Sequence, residues 1–357
     1  MAPLVMENSL GFWHGKRVLL TGHTGFKGGW LALWLKRLGA ELTGVALPPE
    51  SSPNLFTLAN ISEGMGSYFC DIRNRDEIKR IIRKAKPEIV FHLAAQPLVR
   101  ESYTNPVETF DVNIMGTAHV LDGLRDCKDA KVAIIITTDK VYHNNEWSWP
   151  YREEDKLGGY DPYSASKAAS ELVVASYRDA FLREQGVRVA TARAGNVIGG
   201  GDWSEDRLLP DAVRAWQAGD VLEVRRPDSV RPWQHVLEPL SGYLNLAEKL
   251  WLNSAMPGAY NFGPETSEAA SVKDVIELAK YAYGRGEVRY CDTVKGVHEA
   301  GWLALEISKS RTELGMSPKW PLKEALQRTM HWYRAQNEGQ NPVLLCEHDI
   351  LAFEAAP

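Results

Sequence analysis

The sequence predicts an α/β protein: a doubly wound parallel sheet with a smaller, mixed α/β C-terminal domain. Three observations carry this. Short apolar runs of strand length alternate with helix-patterned stretches through the first half, as βαβ units require. A glycine turn, Gly22 to Gly28, stands between the first apolar run and the first helical pattern. After Gly195 the alternation breaks into loops, short strands and helices, the pattern of a second unit closing over the first.

In chain order, Arg17–Gly22 reads as a strand and Trp30–Leu38 as a helix, with apolar residues at helical spacing. Glu41–Leu47 is a second strand, closed by Pro48 and Pro49, and Ser67–Asp71 a third. Arg75–Lys84 is a charged amphipathic helix. Glu88–Ala94 and Lys131–Thr137 are the fourth and fifth strands, with an expected helix over Asn105–Arg125 between them. Tyr163–Glu184 reads as a long helix, followed by strand Val187–Ala192. Right-handed crossovers place such helices on both faces of the sheet. Beyond Gly195, Leu208–Ala218 is a short helix, Val221–Arg225 a short strand and Val236–Asn253 a helix. Ala259–Phe262 fits a strand returning to the sheet, and Val272–Tyr283 and Leu322–Tyr333 are amphipathic helices. The expected division is residues 1–194 with about 234–263 as one domain, and 195–233 with 264–340 as the other. Residues 341–357 read as a loose surface tail.

The 357 residues carry 41 Lys and Arg against 46 Asp and Glu, a net charge of −5. That balance gives no electrostatic footprint for nucleic acid or an anionic membrane. No apolar run approaches a membrane span, and the N-terminus lacks the basic-then-apolar order of a signal peptide. Cys70, Cys127, Cys291 and Cys346 are too far apart in sequence for a zinc knuckle or a redox pair, so no metal is expected. So few cysteines in a long chain suit a reducing cytoplasm. Of the tryptophans in polar loops, Trp147, Trp149, Trp203 and Trp233, packing is the favoured role.

Glycines in a strand–turn–helix let backbone N–H groups approach a pyrophosphate at the positive end of the helix. The spacing here is GxxGxxG, and Gly22, Thr24, Gly25, Phe26, Lys27 and Gly28 are the candidate dinucleotide contacts. Tyr163 and Lys167 stand at i,i+4 on a helix and so share a face. A free tyrosine titrates near ~10; a neighbouring ammonium brings the phenol toward use as a general base. Thr138, at a strand end, is placed to bond the reacting hydroxyl. Asp139 and Lys140 follow directly, two ionisable groups where further proton transfers are served.

These motifs resemble the extended branch of the short-chain dehydrogenase/reductase superfamily, with its Rossmann-like sheet and Thr–Tyr–Lys triad. The resemblance implies NAD as cofactor. It places Asp71 at the adenine amino group with Ile72 beside it, Ala94 and Ala95 along the cofactor, and Asn113 as a structural asparagine. A helix-cap role for Asp71 stands equally open. Within the superfamily, Thr138-Asp139-Lys140 resembles the signature of nucleotide-sugar 4,6-dehydratases in its CDP-glucose form; dTDP-glucose relatives carry Asp-Glu there. The strings Gly22–Trp30, Ala94–Arg100, Gly195–Trp203 and Arg231–Pro239 resemble the same family. The implied reaction converts CDP-glucose to its 4-keto-6-deoxy form with loss of water and NAD regenerated. Tyr163 then takes the C4 hydroxyl proton, Lys167 holds the nicotinamide ribose, Lys140 removes the C5 proton and Asp139 protonates the departing C6 hydroxyl. Arg231 is the first candidate for the substrate diphosphate, Asn196 for its nucleotide, and Gln96, Arg207 and His298 are further substrate candidates. A homodimer through the Asn105–Arg125 and Tyr163–Arg183 helices is implied by the same resemblance. A 4-epimerase, a 4,6-dehydratase acting on another nucleotide-hexose and a non-catalytic dinucleotide sensor are the alternatives; Asp139-Lys140 speaks against the first and the intact Tyr163/Lys167 pair against the last.

One departure stands out. The acid that ordinarily ends the second strand and binds the adenosine ribose is missing: the strand ends Gly44-Val-Ala-Leu-Pro48. With His23 and Lys27 in the turn, this predicts weak cofactor retention. The alternative is that both side chains point to solvent and matter little.

Overall fold

Strand β1 (Arg17–Thr21) is buried from Val18 onward. Its pleat sends Val18 and Leu20 into one hydrophobic cluster and Leu19 into another, which is how a sheet covered on both faces uses a continuous apolar run. The computed structural model describes residues 11–291 and 301–357. The first half proceeds through helix α1 (Phe26–Arg37), β2 (Glu41–Ala46), β3 (Gly66–Phe69), α2 (Arg75–Ala85), β4 (Ile89–His92), α3 (Gly116–Leu124), β5 (Val132–Ile136), α4 (Pro162–Tyr177) and β6 (Arg188–Ala194). The second contains α5 (Leu208–Ala218), β7 (Val221–Arg225), α6 (Leu237–Leu252), β8 (Gly258–Phe262), α7 (Val272–Tyr283), β9 (Glu287–Cys291), α8 (Leu322–Asn337) and α9 (Pro342–Ala355).

Seven strands form one sheet in the order β8-β6-β5-β4-β1-β2-β3. Every pairing is parallel. The chain builds outward from β1 through β2 to β3, then returns to β4 and builds the other way. The crevice beyond the strand ends at this reversal is where open α/β sheets bind ligands. One face of the sheet buries Trp13, Trp30, Leu31 and Leu35 with Leu240, Tyr243 and Leu244 of α6. The other buries Ile78, Ile81 and Ile82 of α2 with Val120, Leu121 and Leu124 of α3 and Val174 of α4.

The second unit pairs β7 with β9 in parallel, while β8 returns to the main sheet beside β6. Arg231 stands opposite Ala270 in a two-residue antiparallel pairing. Among the described residues no helix is long and apolar enough to cross a membrane.

Three expectations are corrected. The helix expected to Glu184 ends at Tyr177 and continues as a π turn over Arg178–Leu182. The helix expected over Asn105–Arg125 is Pro106–Phe110, a π turn over Asp111–Met115, then α3. The expected loose tail is α9: Asn341 caps it, Pro342 fills its first position, and Cys346, Ile350 and Phe353 are buried. Phe353 meets Trp34 of α1 edge-on at 5.9 Å between ring centroids. Trp34 Nε1 donates to Glu354 Oε1 at 2.9 Å.

Candidate active site

The Gly22 turn is tight because no side chain fits inside it. Gly22 has φ +79°, and a Cβ on it would lie 2.8 Å from the backbone nitrogen of Ala94. A Cβ on Gly28 would lie 2.0 Å from the Gly22 carbonyl oxygen. Gly25 N–H donates to Gly22 O at 3.1 Å. The turn thus presents bare backbone at the start of α1, which carries no acidic residue in its first turn. That cradle fits a dinucleotide pyrophosphate. Thr24 Oγ1 donates to Leu47 O at 2.9 Å, tying the turn to the end of β2. The Phe26 ring abuts Gly199. Ile72 is buried against Gly116, and Ala94 and Ala95 line the chain leaving β4, half-buried.

Neither turn side chain points to solvent. His23 is fully buried. Its Nε2 meets Ser67 Oγ at 2.8 Å, and burial pushes its pKa down to about 4, so it is neutral. A Cβ on Gly44 would lie 2.5 Å from its ring, so glycine on β2 makes room for it. Lys27 points inward. Burial brings its amine down to about 8, with Arg207 and Lys167 acting in the same direction and Asp139 and Asp202 opposing. The solvent-facing alternative for these two residues is therefore overturned.

Asp71 binds its own neighbour: its carboxylate accepts from the Arg73 backbone at 2.8 Å and from the Arg73 guanidinium at 2.6 Å, which holds it below the ordinary carboxylate range. The helix-cap alternative is also overturned, because the cap of α2 is Asn74.

Thr138, two residues past β5, caps a short turn, Asp139–Val141. Its Oγ1 donates to Asp139 Oδ1 at 2.9 Å and accepts from Lys140 N at 3.3 Å. Asp139 is buried and its Oδ2 has no partner. Gly195 lies against that oxygen, and a Cβ there would sit 3.0 Å from it and 2.6 Å from Pro232 Cγ. Helix α4 supplies the opposite wall. Asp161 caps it through Ser164 N at 2.8 Å, with Pro162 in the first turn. Tyr163 and Lys167 face the end of β5, both buried. Lys167 Nζ donates to Ile136 O at 2.9 Å. Burial brings its pKa down to about 8, against the pull of Glu171. Burial pushes Tyr163 up to about 12, while the Thr138 hydrogen bond and the Arg207 charge act to lower it. The ligand-free site therefore holds a protonated phenol bonded to the Thr138 hydroxyl and within reach of the Arg207 charge.

Of the substrate candidates, Arg207 is in this cluster, paired with Asp202 at 2.7 Å. Asn196 contributes a buried Oδ1 with no partner. Arg231 is buried and donates to Val230 O at 2.8 Å. Gln96 is committed elsewhere: its Nε2 donates to Leu98 O and Thr109 Oγ1, and its Oε1 accepts from Leu98 N. It shapes its own loop rather than offering its amide to a ligand. Asn113 braces that loop, accepting from Gln96 N at 2.9 Å and donating to Ser166 Oγ at 2.8 Å. His298 lies outside the described residues. Trp203 and Trp233 are core residues, whereas Trp147 and Trp149 are exposed. Among the described residues no group of three His, Cys, Asp or Glu side chains is placed to hold a metal ion.

The sequence reading missed two buried residues beneath the site. Glu171 shares the α4 face of Tyr163 and Lys167, one further turn along, and pairs with Arg193 of β6 at 2.9 Å. Repetition of the four-residue spacing was the signal for Glu171; nothing local marks Arg193.

The family model described as GDP-mannose 4,6 dehydratase matches residues 19–329. The chain belongs to this nucleotide-sugar 4,6-dehydratase family. Over 351 residues it is 43% identical to a CDP-glucose 4,6-dehydratase of Salmonella typhimurium, covering 97% of this chain and 98% of that one. A dTDP-glucose 4,6-dehydratase of Streptomyces antibioticus is 29% identical, over 91% and 95% of the two chains. Among solved structures, a dTDP-glucose 4,6-dehydratase from Bacillus anthracis in complex with NAD superposes with a TM-score of 0.76 at 21% identity, covering 90% of this chain and 99% of that one. An epimerase from Methanothermobacter thermautotrophicus gives 0.82 at 22% identity, over 97% and 98%. At such identities these two structures establish the shared fold. Within the family fold, the glycine turn meets the other candidate residues through Lys27, which lies within electrostatic reach of Asp139 and Lys167.

Proposed function

We propose that this dehydratase converts CDP-D-glucose to CDP-4-keto-6-deoxy-D-glucose and water, with NAD regenerated in each turnover. The observation that carries the reading is the adjacency of Asp139 and Lys140 to the Tyr163–Thr138 pair at the end of β5. An epimerase needs only the triad; loss of water needs an extra base and acid. The CDP-glucose 4,6-dehydratase at 43% identity supports the choice of nucleotide.

NAD would lie across the Gly22 turn, along Ala94 and Ala95, with Lys167 at its nicotinamide ribose, and when bound supplies the hydride acceptor at C4 and the hydride donor at C6. Tyr163 removes the C4 hydroxyl proton, and Thr138 holds that hydroxyl. The resulting ketone acidifies the C5 proton, so oxidation has to precede elimination. Lys140 takes the C5 proton and returns one at the end. Asp139, buried with an unpartnered oxygen, protonates the departing C6 hydroxyl. Arg231, Arg207 and Asn196 serve the diphosphate and nucleotide.

A homodimer is part of this reading. Val107, Phe110 and Met115 on the segment before α3, with Leu172 on α4 and Phe181 beyond it, are exposed apolar side chains on the helices expected to pair. Four free cysteines support a reducing, cytoplasmic setting. The test is a panel of CDP-, UDP-, dTDP- and GDP-hexoses with added NAD, reading the near-ultraviolet absorbance of 4-keto-6-deoxy sugars in alkali. CDP-glucose should give that product fastest. An epimerised hexose without a ketone overturns the reading.

A further inference from the structure

The turn that carries Asp139 and Lys140 is gripped at both ends by one buried ion pair. Glu171 Oε1 accepts from Thr137 Oγ1 at 2.6 Å and from Arg193 Nε at 2.9 Å. Its Oε2 accepts from Thr191 Oγ1 at 2.7 Å and from an Arg193 terminal nitrogen at 3.0 Å. Thr137 directly precedes Thr138. Beyond the turn, Arg193 donates to Tyr142 Oη at 2.8 Å and lies over the Tyr142 ring at 5.0 Å from its centroid. Tyr142 Oη in turn donates to Asn261 Oδ1 at 2.7 Å. Both charged side chains are nearly inaccessible, 5% and 3% exposed. A buried pair like this is weak as a source of stability and stronger as a means of fixing one arrangement.

We propose that the Glu171–Arg193 pair is a positioning device for the dehydration: it clamps Thr137 and Tyr142 on either side of Asp139–Lys140, with the Glu171 carboxylate one helical turn along α4 from Lys167. Neither residue is a catalytic residue, since both act through others. The device serves the reaction described under Proposed function and so rests on that reading. Tyr163, Lys167 and Glu171 repeat at four-residue spacing along one face of α4. Glu171 raises the Lys167 pKa against the effect of burial. The other groups toward Lys167 are Tyr163 on the same helix, Lys27 of α1 and His92 of β4. His92 is held neutral, its pKa brought down to about 3 by burial and then by Lys167. Glu171 is the anion set against burial.

Two substitutions separate the parts. Tyr142→Phe releases one end of the clamp without changing charge. It should lower kcat about 10- to 100-fold, the scale of a small misplacement of reacting groups, with KM within about twofold. Solvent deuterium uptake at C5 should fall more than the C4 oxidation step. Glu171→Gln removes the anion and leaves the Arg193 guanidinium buried without its carboxylate. The alkaline limb of kcat should move to lower pH by at least about one unit, and the double variant Glu171→Gln/Arg193→Gln should move it part of the way back. A merely structural pair would lower the folded fraction without moving that limb. If Glu171→Gln does not fold, Tyr142→Phe decides: wild-type kcat and wild-type C5 exchange in that folded variant overturn the clamp. Tyr163→Phe is the reference. Turnover surviving there overturns the reading of the site itself. An inactive Tyr163→Phe beside unaffected Tyr142→Phe and Glu171→Gln overturns the clamp alone.

Discussion

Tyr163 and Lys167, the proposed base and its partner, are both buried, and burial sets the main difficulty of that reading. A phenol pushed up to about 12 is a poor base at neutral pH, so removal of its proton depends on surrounding positive charge, from Arg207 in the ligand-free chain. Tyr163→Phe should therefore lower kcat by at least about 10²-fold while leaving substrate affinity nearly unchanged; turnover near the wild-type rate would overturn its assignment. Lys140→Ala should oxidise C4 yet take up no solvent deuterium at C5, and normal elimination in that variant would move the base elsewhere. Retention of NAD is a separate residue-scale prediction. The space beside Gly44 holds the His23 ring, and the second strand ends without an acid, so two hydrogen bonds to ribose hydroxyls are forgone. At roughly 0.5–1.5 kcal/mol each, binding loosens by about one to two decades. Nucleotide released on denaturing the purified enzyme should fall well below one NAD per subunit, with several-fold stimulation by added NAD; full occupancy without stimulation would contradict this. The Tyr163/Lys167 pair was legible because helical spacing is local. The direction of Lys27 was not, because the Arg207 and Asp202 that face it come from the far half of the chain.

The elements were legible wherever apolar runs were bounded by turn residues. Val221–Arg225 and Val272–Tyr283 form with the expected limits. The two π turns were not legible, since one extra residue per turn leaves no mark in an apolar pattern. Helix α9 was hidden for another reason: apolar residues occur all round it, with Leu344 and Leu351 exposed while Leu345, Ile350 and Phe353 are buried. Two element-scale predictions follow from contacts between segments. Gly28→Ala forces a Cβ to 2.0 Å from the Gly22 carbonyl oxygen, so the β1–α1 turn has to open. Calorimetric titration should show NAD binding lost, and wild-type affinity would refute the cradle. Glu238 of α6 holds the segment entering α8, accepting from Lys319 N at 3.0 Å and Trp320 N at 2.7 Å. Burial raises its pKa from 4.5 to about 7. The folded state thus keeps a proton that the unfolded chain releases, and stability from this group is lost as pH rises from 4.5 toward about 7. Chemical denaturation of Glu238→Gln should show it gaining on wild type across that window, by up to about 3 kcal/mol. A pH-independent difference would contradict the assignment.

At the scale of the molecule, the parallel sheet and its reversal between β1 and β4 put the glycine turn and the β5 end at the same edge of the sheet, and this arrangement follows from βαβ chirality once the elements are known. The proposed homodimer is tested at this scale. Met115→Glu with Leu172→Glu places charge on the exposed apolar helices and should give a monomer in sedimentation velocity; an unchanged mass would place the subunit contact elsewhere. The central claim is that one site oxidises, eliminates and reduces the same hexose. It is tested most directly with CDP-glucose deuterated at C4, incubated in ordinary water and analysed by NMR. Deuterium should be recovered at C6 of the 4-keto-6-deoxy product. Deuterium retained at C4, or lost to solvent, would contradict it.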